Sequence, residues 1–400
     1  MRIAIISREY PRQSAWGGMA NFYTQMAQAL KKQGHHVEVF SQGFQREYVE
    51  VVDGLTVHRV QARLGGRYIS GMNGEALPFH RFTKALAERL ALCFSARHKQ
   101  IRFEVVEAHD HLGVSCALPS LGIPVFLTGH TTLAVFESIP DFHLGVSGST
   151  VEVCKQEYKA HLQADRIRFL SRDLKQRTCA LFPDIYHKSS IVYNPCRIPE
   201  RIEFSAFETR PYSFLFIGRL EPRKGVQLLP DALRTVWREF PDVTVTFVGQ
   251  DIYYKVAHSS MSEFLKQECR NRANQLVFLG WKPKSDVDAI TQLHPYVLVP
   301  SLYDNSAFAA QEGMAHGRCV LCSDAGGTKE YVGEYGYVFR ANDSTALATA
   351  MLNCLVEKEK SLELAKQAAE RARIFFARER FSSDFIREVL DCSQSRVGEN

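Results

Sequence analysis

Short apolar runs alternate with stretches of helical spacing along most of the chain. The first is an apolar run from Ile3 to Ser7, followed by a turn at Gly17-Gly18, a helical stretch from Asn21 to Lys32 and a second apolar run from Val37 to Phe40. Phe22, Met26, Ala29 and Leu30 share one helical face, and Gly34 supplies the stop. A connection of this length joins parallel strands, so the segment reads as a β-loop-α-β unit. Comparable apolar runs fall at Val105-Val106 and at Pro124 to Leu127. After Asn194-Pro195 the alternation restarts, with strands predicted at Phe214 to Gly218, Val243 to Gly249, Leu276 to Gly280 and Val297 to Pro300, and a helix over Val226 to Phe240. From Ala341 to Leu390 the pattern is helical almost throughout.

Near-continuous apolar strands alternating with helices imply parallel sheets covered on both faces. The pattern occurs twice, and 400 residues exceed the roughly 250–300 that a single core sustains. The predicted fold class is therefore α/β: two Rossmann-like doubly wound domains, facing each other across a central cleft. The expected division is residues 1–195, then 196–380, with 381–400 as a helix that packs back on the first domain. The hinge is expected between 193 and 212, where Pro195, Pro199 and Pro211 interrupt a polar stretch. In doubly wound sheets ligands bind beyond the carboxyl ends of the strands, so the chemistry is sought in the loops that follow strands.

Composition narrows the class. With 45% hydrophobic and 23% charged residues the chain is ordinary globular protein, which excludes disorder, collagen and coiled coil. No apolar run approaches the ~18–20 residues of a membrane span, and the opening Met1-Arg2-Ile3-Ala4-Ile5-Ile6-Ser7-Arg8-Glu9 meets charge too soon for a signal peptide. A cytoplasmic protein is expected. Its ten cysteines read as reduced and mostly buried, and Cys319-Val320-Leu321-Cys322 as strand rather than redox or zinc motif.

Charge is unevenly placed. Residues 1–195 hold 23 Lys and Arg against 17 Asp and Glu, and the remainder 26 against 27. Arg59, Arg63, Arg67, Arg81 and Lys84 lie in a segment whose acid is Glu75, together with the glycine loops Leu64-Gly65-Gly66 and Gly71 to Gly74. This suggests a basic rim for an anionic acceptor, with peripheral attachment at the inner face of the membrane as a corollary. Nucleic acid is not expected, because no Arg/Lys cluster interleaves with aromatics.

Two segments carry candidate chemistry. In Gly218-Arg219-Leu220-Glu221-Pro222-Arg223-Lys224-Gly225, Arg219 leaves a strand and Lys224 is expected where a helix begins, an arrangement suited to a diphosphate. From Pro300 to Glu330, a strand end and loop lead to a helix expected to start near Asn305 or Ser306 and stop at Gly317, followed by a strand and the Gly326-Gly327 turn. Asp304 precedes that helix and Glu312 lies about two turns on. These carboxylates can accept from sugar hydroxyls, while capping for Asp304 and solvation for Glu312 are the structural alternatives. His130 ends a predicted strand, and His109, Asp110 and His111 form a rival cluster whose spacing could suggest a metal. Asp286-Val287-Asp288 is read as capping a helix rather than binding metal.

Together, Gly-Arg-Leu-x-x-x-Lys-Gly and, about eighty residues later, Pro-Ser-x-x-Asp-Asn followed by Glu-x-Met-Ala-x-Gly, Gly-Gly and Glu resemble the retaining glycosyltransferases of family 4, which have the GT-B fold. Gly17-Gly18, Gly34-His35-His36-Val37, Thr128-Gly129-His130-Thr131 and Ile191-Val192-Tyr193-Asn194 resemble other parts of that family in the same order. The resemblance implies sugar transfer from a nucleotide-diphosphate donor to an acceptor hydroxyl of a sugar, glycolipid or sugar phosphate, with retention, without cofactor or metal, in glycan or glycolipid synthesis. It implies that Arg219 and Lys224 hold the diphosphate, Glu312 the ribose, and Asp304 the donor-sugar hydroxyls. Asn305 and the backbone of Ser306, Ala307 and Phe308 would lie against the sugar, Gly17 and Gly18 against the donor phosphate and acceptor, and His130 against the donor sugar. Three departures stand out. Asp304 is one methylene shorter than the family's usual Glu, Pro195-Cys196 follows Asn194, and Pro230 falls inside a predicted helix. The alternatives are a nucleotide-sugar epimerase on the same fold and a silent sugar-binding protein; a dehydrogenase is weakened because no GxGxxG follows a strand.

Overall fold

The computed structural model describes all residues except 12–16, 44–45, 65–66, 69–77, 121, 140–146 and 399–400, and leaves out the side chains of 63–64, 67–68 and 395–398. The chain divides into two compact units: Met1–Pro195 with Arg378–Asn400, and Cys196–Ala377.

Strands of the first unit are β1 (Arg2–Ser7), β2 (His36–Gln42), β3 (Tyr48–Val52), β4 (Leu55–Val60), β5 (Arg63–Leu64), β6 (Arg67–Tyr68), β7 (Val105–His109), β8 (Val125–Gly129), β9 (Arg166–Phe169) and β10 (Ser189–Ile191). Among the described residues, eight of them form one sheet in the order β10-β9-β8-β7-β1-β2-β4-β3, and β5 and β6 form a separate pair. The pairing is parallel throughout that sheet except at the edge, where β3 runs antiparallel to β4. Ile3, Ile5, Val37, Val39, Val105, Phe126 and Ile167 are buried in it, as the continuous apolar runs require.

In the second unit the strands are β11 (Ser213–Ile217), β12 (Thr244–Val248), β13 (Tyr253–Tyr254), β14 (Ser259–Ser260), β15 (Leu276–Phe278), β16 (Tyr296–Val299), β17 (Cys319–Ser323) and β18 (Tyr337–Phe339). Six of them form a parallel sheet, β15-β12-β11-β16-β17-β18, while β13 and β14 make a short hairpin. Phe214, Phe216, Phe247, Leu298 and Leu321 from this sheet pack with Leu233 and Val236 of the helix Leu229–Glu239.

Three local expectations are corrected. The segment from Val226 begins as a 3-10 turn, Val226–Leu228, and the α-helix starts at Leu229. Pro230 therefore lies in its first turn, where a missing N–H removes no helical bond. The helix expected from Asn305 or Ser306 is Phe308–Ala315, so Asn305, Ser306 and Ala307 are loop residues. Asp286 and Asp288 lie inside the helix Lys284–Gln292 and do not cap it. Its N-cap is Pro283, and Asp288 pairs instead with Lys284 (2.8 Å) and His316 (3.1 Å).

All ten cysteines are free thiols. Cys319 and Cys322 are fully buried in β17, and burial pushes both thiols up to about 12. Among the described residues no helix is long and apolar enough to cross a membrane.

The helix Arg378–Gly398 belongs to the first unit and docks on the helix Gly18–Lys32. Lys32 pairs with Glu379 at 3.2 Å, Gln33 donates to the Glu379 carbonyl and to Ser383, and Phe381 meets Phe22 edge to face. Within the second unit, Cys196 bridges to Ala377, so both chain passages leave that unit from one spot.

Glu157 ties two elements of the first unit together. On the helix Gly148–Gln163, it accepts from the amides of Leu112 (2.9 Å) and Leu133 (3.0 Å), the latter at the start of the helix Leu133–Glu137. Burial raises its carboxyl to about 8, against the pull of those amides. A value raised on folding contributes stability that is present below the ordinary 4.5 and is lost as pH rises through 8. We expect wild type to lose stability relative to Glu157→Gln across that window, by a few kcal/mol, on the order expected for a shift of this size. Denaturant melts of both proteins between pH 4.5 and 8.5 test this; parallel curves would refute it.

Candidate active site

In the second unit, the carboxyl ends of adjacent strands β11 and β16 bring together residues some eighty positions apart. After β11 the chain makes a tight turn, Pro222–Lys224, closed by Gly225 at φ +71°. A Cβ on Gly225 would stand 1.8 Å from the Pro300 carbonyl oxygen, so only glycine lets this turn rest against the end of β16. The Leu302 amide donates to the Arg223 carbonyl (2.8 Å) and fixes the two loops together. Lys224 consequently reaches Asp304, and their ammonium and carboxylate form a part-buried ion pair. Burial alone would raise the Asp304 carboxyl; the charges of Lys224 and Arg223 and the Ser306 amide outweigh it and hold it below the usual range. Burial also pulls Lys224 below the usual lysine value, opposed by Asp304.

Glu221 organises the other two cations. It accepts from Arg223 at 2.8 Å and from Arg219 at 3.2 Å. Arg219 is about half exposed, with 53% of its side-chain surface open, so it is the reachable arm of the set. Arg223 was not singled out from the sequence, and nothing there distinguishes it from a solvated cation.

Asp304 is pinned from the other side by the Gly326-Gly327 turn. The Gly327 amide donates to the Asp304 carbonyl (2.9 Å), and a Cβ on Gly326, at φ +71°, would come within 2.3 Å of that oxygen. Gly326→Ala should therefore displace Asp304, destabilise the second unit by about 1–3 kcal/mol and weaken ligand binding there. A denaturation midpoint and nucleotide affinity both unchanged from wild type would disprove the role of this turn.

Glu312, on the helix Phe308–Ala315, is buried and not solvated. Lys284 Nζ lies 2.9 Å from its Oε1 and 2.8 Å from Asp288. Glu312 and Asp288 outweigh the desolvation of Lys284 and hold it firmly charged. Asn305 and Ser306 are buried side by side, with Ser306 Oγ donating to Asn305 Oδ1 (3.0 Å), and the Ala307 amide donates to Thr328 (3.2 Å). Neither Asp304 nor Glu312 stands open: each is matched to a lysine. Exchanging those partners for phosphate and hydroxyls is the chemistry the arrangement permits.

In the first unit the candidates gather at the ends of β1, β7 and β8, which are neighbours in the sheet. Gly17 is the N-cap of the helix Gly18–Lys32 and offers no side-chain cap; Glu9 Oε2 would stand 2.9 Å from a Cβ on it. His130 packs edge on to Phe22, 4.8 Å between ring centres, and its amide donates to buried Asp110 (2.7 Å). Among the described residues its buried Nε2 has no hydrogen-bond partner, and burial lowers the ring to about 4, so His130 is neutral at physiological pH. Thr131, next in the chain, sits at φ +80°, a strained conformation for a β-branched residue.

The rival cluster is engaged with protein. His109 Nε2 accepts from the Arg8 amide (3.0 Å), His111 Nδ1 lies 3.0 Å from the Thr131 carbonyl, and Asp110 pairs with His161 at 3.4 Å. Among the described residues no group of three or more His, Cys, Asp or Glu could hold a metal ion.

The basic rim loses a member. Arg59 is fully buried, donating to Glu50 (2.8 Å) and to the carbonyls of Tyr10 and Pro11, so it cannot face an acceptor. Arg81 and Lys84 are exposed on the helix Phe79–Ile101. The side chains of Leu64, Arg63 and Arg67, and Gly65-Gly66, Gly71 to Gly74 and Glu75, lie outside the described residues.

Residues 198–373 match the family model described as "Glycosyl transferases group 1", and residues 16–198 match that of "Glycosyltransferase Family 4". The chain is 26% identical over 404 residues to a D-inositol 3-phosphate glycosyltransferase of Corynebacterium glutamicum, covering 94% of this chain and 93% of the relative. Among solved structures it resembles a sucrose-phosphate synthase from Thermosynechococcus elongatus, with TM-score 0.77, 19% identity and coverage of 98% and 100%. It also resembles Anabaena HepE in complex with UDP-glucose, with TM-score 0.69, 16% identity and coverage of 98% and 100%.

Proposed function

We infer the reaction from a premise that these matches supply: the chain belongs to the group 1, family 4 glycosyltransferases and has their GT-B fold. It transfers a sugar from a nucleotide-diphosphate donor to an acceptor hydroxyl, with retention at the anomeric carbon and without a metal. The observation that carries this reading is the interlocked set Arg219, Arg223 and Lys224 with Glu221 and Asp304 at the ends of β11 and β16. A diphosphate competes with Glu221 and Asp304 for cations already held in position, so less side-chain entropy is lost on binding. These cations then stabilise the charge that develops on the departing phosphate, the task a divalent ion performs in other enzymes.

The freed Asp304 carboxylate accepts from donor-sugar hydroxyls, with Asn305 and the backbone of Ser306, Ala307 and Phe308 alongside. Glu312, oriented by Lys284, accepts from the ribose. His130, neutral and with Nε2 unpartnered among the described residues, suits a sugar hydroxyl, and Gly17 and Gly18 suit close approach of backbone to phosphate. A solved neighbour is a complex with UDP-glucose and a relative is named for an inositol-phosphate acceptor, which supports a nucleotide sugar as donor and a sugar or sugar phosphate as acceptor. The matches do not favour an epimerase or a silent sugar-binding protein.

The test is nucleotide release from a panel of UDP-, GDP- and ADP-sugars, with and without acceptor, in EDTA. Acceptor-dependent release that survives the chelator is expected. Complete loss in EDTA that magnesium or manganese restores would overturn the metal-free reading.

A further inference from the structure

Two helices of the second unit each carry a pair of polar groups one turn apart. Lys284 opens the helix Lys284–Gln292 and Asp288 follows four residues on; Glu312 lies in the helix Phe308–Ala315, and His316, again four residues on, is its C-cap. Side chains at this spacing share a face. The two pairs meet in a closed clasp. Lys284 Nζ lies 2.9 Å from Glu312 Oε1 and 2.8 Å from Asp288 Oδ1, and His316 Nε2 lies 3.1 Å from the same Asp288 oxygen. The His316 amide donates to the Glu312 carbonyl (2.9 Å) and completes the circuit through the backbone.

Burial alone would raise the Asp288 carboxyl; the His316 hydrogen bond and the Lys284 charge outweigh it and hold it below the usual range. An ionised carboxylate only accepts, so His316 Nε2 carries the proton in this bond. His316 is buried, and among the described residues its imidazole has no other hydrogen bond. Arg197 approaches the other Asp288 oxygen at 4.0 Å, but its side chain is 62% exposed and such a pair contributes little.

A glutamate side chain turns about several bonds, and one left loose has to be ordered by each ligand it binds. Lys284 fixes Glu312, Asp288 fixes Lys284, and His316 fixes Asp288 from the helix that carries Glu312. The clasp therefore acts on a ligand through Glu312. We propose that Lys284, Asp288 and His316 are positioning residues that hold Glu312 ready for the hydroxyls of the donor's ribose, and so set the preference for a ribonucleotide over one without those hydroxyls. This rests on the reading that Glu312 binds the ribose.

The experiment is a calorimetric titration of the full chain with UDP, GDP and ADP, and with the 2′,3′-dideoxy form of each. For the base that binds, wild type should favour the ribo form about ten-fold or more, as hydrogen bonds to a carboxylate allow. Lys284→Met should reduce that preference to about two-fold and leave affinity for the dideoxy form near that of wild type, while Lys284→Arg keeps most of it. Because Lys284→Met also strips two carboxylates of their shared cation, the double variant Lys284→Met, Asp288→Asn keeps the net charge of the clasp and should show the same loss. His316→Phe should cost part of the preference. Equal losses for both forms would mean that Lys284 meets the phosphates or only supports the fold, and would overturn the proposal. A preference that survives both Lys284→Met variants but disappears in Glu312→Ala would also overturn it, leaving the ribose reading intact. Wild type that binds no nucleotide, or binds one without favouring the ribo form, removes the ribose reading and the proposal with it.

Discussion

Lys224→Ala should lower kcat/KM for the donor by about 10²–10³, the loss typical when one preorganised group facing developing charge is removed. Two effects combine. The phosphate loses a charge-assisted bond, and Asp304 is left buried with Arg223 as its remaining cationic neighbour. The second effect also reduces stability, so the Lys224→Ala, Asp304→Asn double variant separates them. It should recover most of the lost stability and none of the lost activity. Steady-state kinetics with each variant, beside a denaturation curve, checks this. An unchanged kcat/KM for Lys224→Ala would remove the clamp from the mechanism.

The other large effect concerns the first unit. Arg168 is buried beneath the helix Arg378–Gly398, pairs with Glu107 at 2.8 Å and lies over Phe126, Phe381 and Phe385, 4.6 Å from the last ring. Burial raises the Glu107 carboxyl to about 7 even with Arg168 present. Removing the arginine leaves that carboxylate uncompensated, so Arg168→Ala should destabilise the first unit by about 3–5 kcal/mol. Restoring the balance with Arg168→Met and Glu107→Gln together should return most of the loss, because a well-packed neutral pair avoids the desolvation penalty. Denaturant unfolding resolved by unit is the check. A loss below about 1 kcal/mol would mean that water reaches the pair.

The contrast between these two pairs shows what the sequence could and could not convey. The strands and their alternation with helices were legible because burial on both faces leaves continuous apolar runs, as in Phe214 to Ile217. Phosphate and sugar candidates were legible as residue types in loops after strands. Their partners were not. Lys224 meets Asp304 eighty residues on, and Lys284 meets Glu312, only because strand order places loop ends side by side. Arg59 looked like a surface cation because an arginine within a strand such as Leu55–Val60 carries no mark of burial of its own. Its partners Tyr10 and Pro11 lie almost fifty positions earlier. Asp288 looked like a cap for the related reason that one of its partners, His316, lies on another segment.

The central claim is transfer with retention from a nucleotide sugar, and proton NMR of the first-formed product tests it most directly. With a matched donor and acceptor in EDTA, the account predicts an anomeric coupling constant that reports the same configuration as the donor, appearing in step with free nucleoside diphosphate. Product of inverted configuration, or an altered nucleotide sugar formed without acceptor, would contradict it.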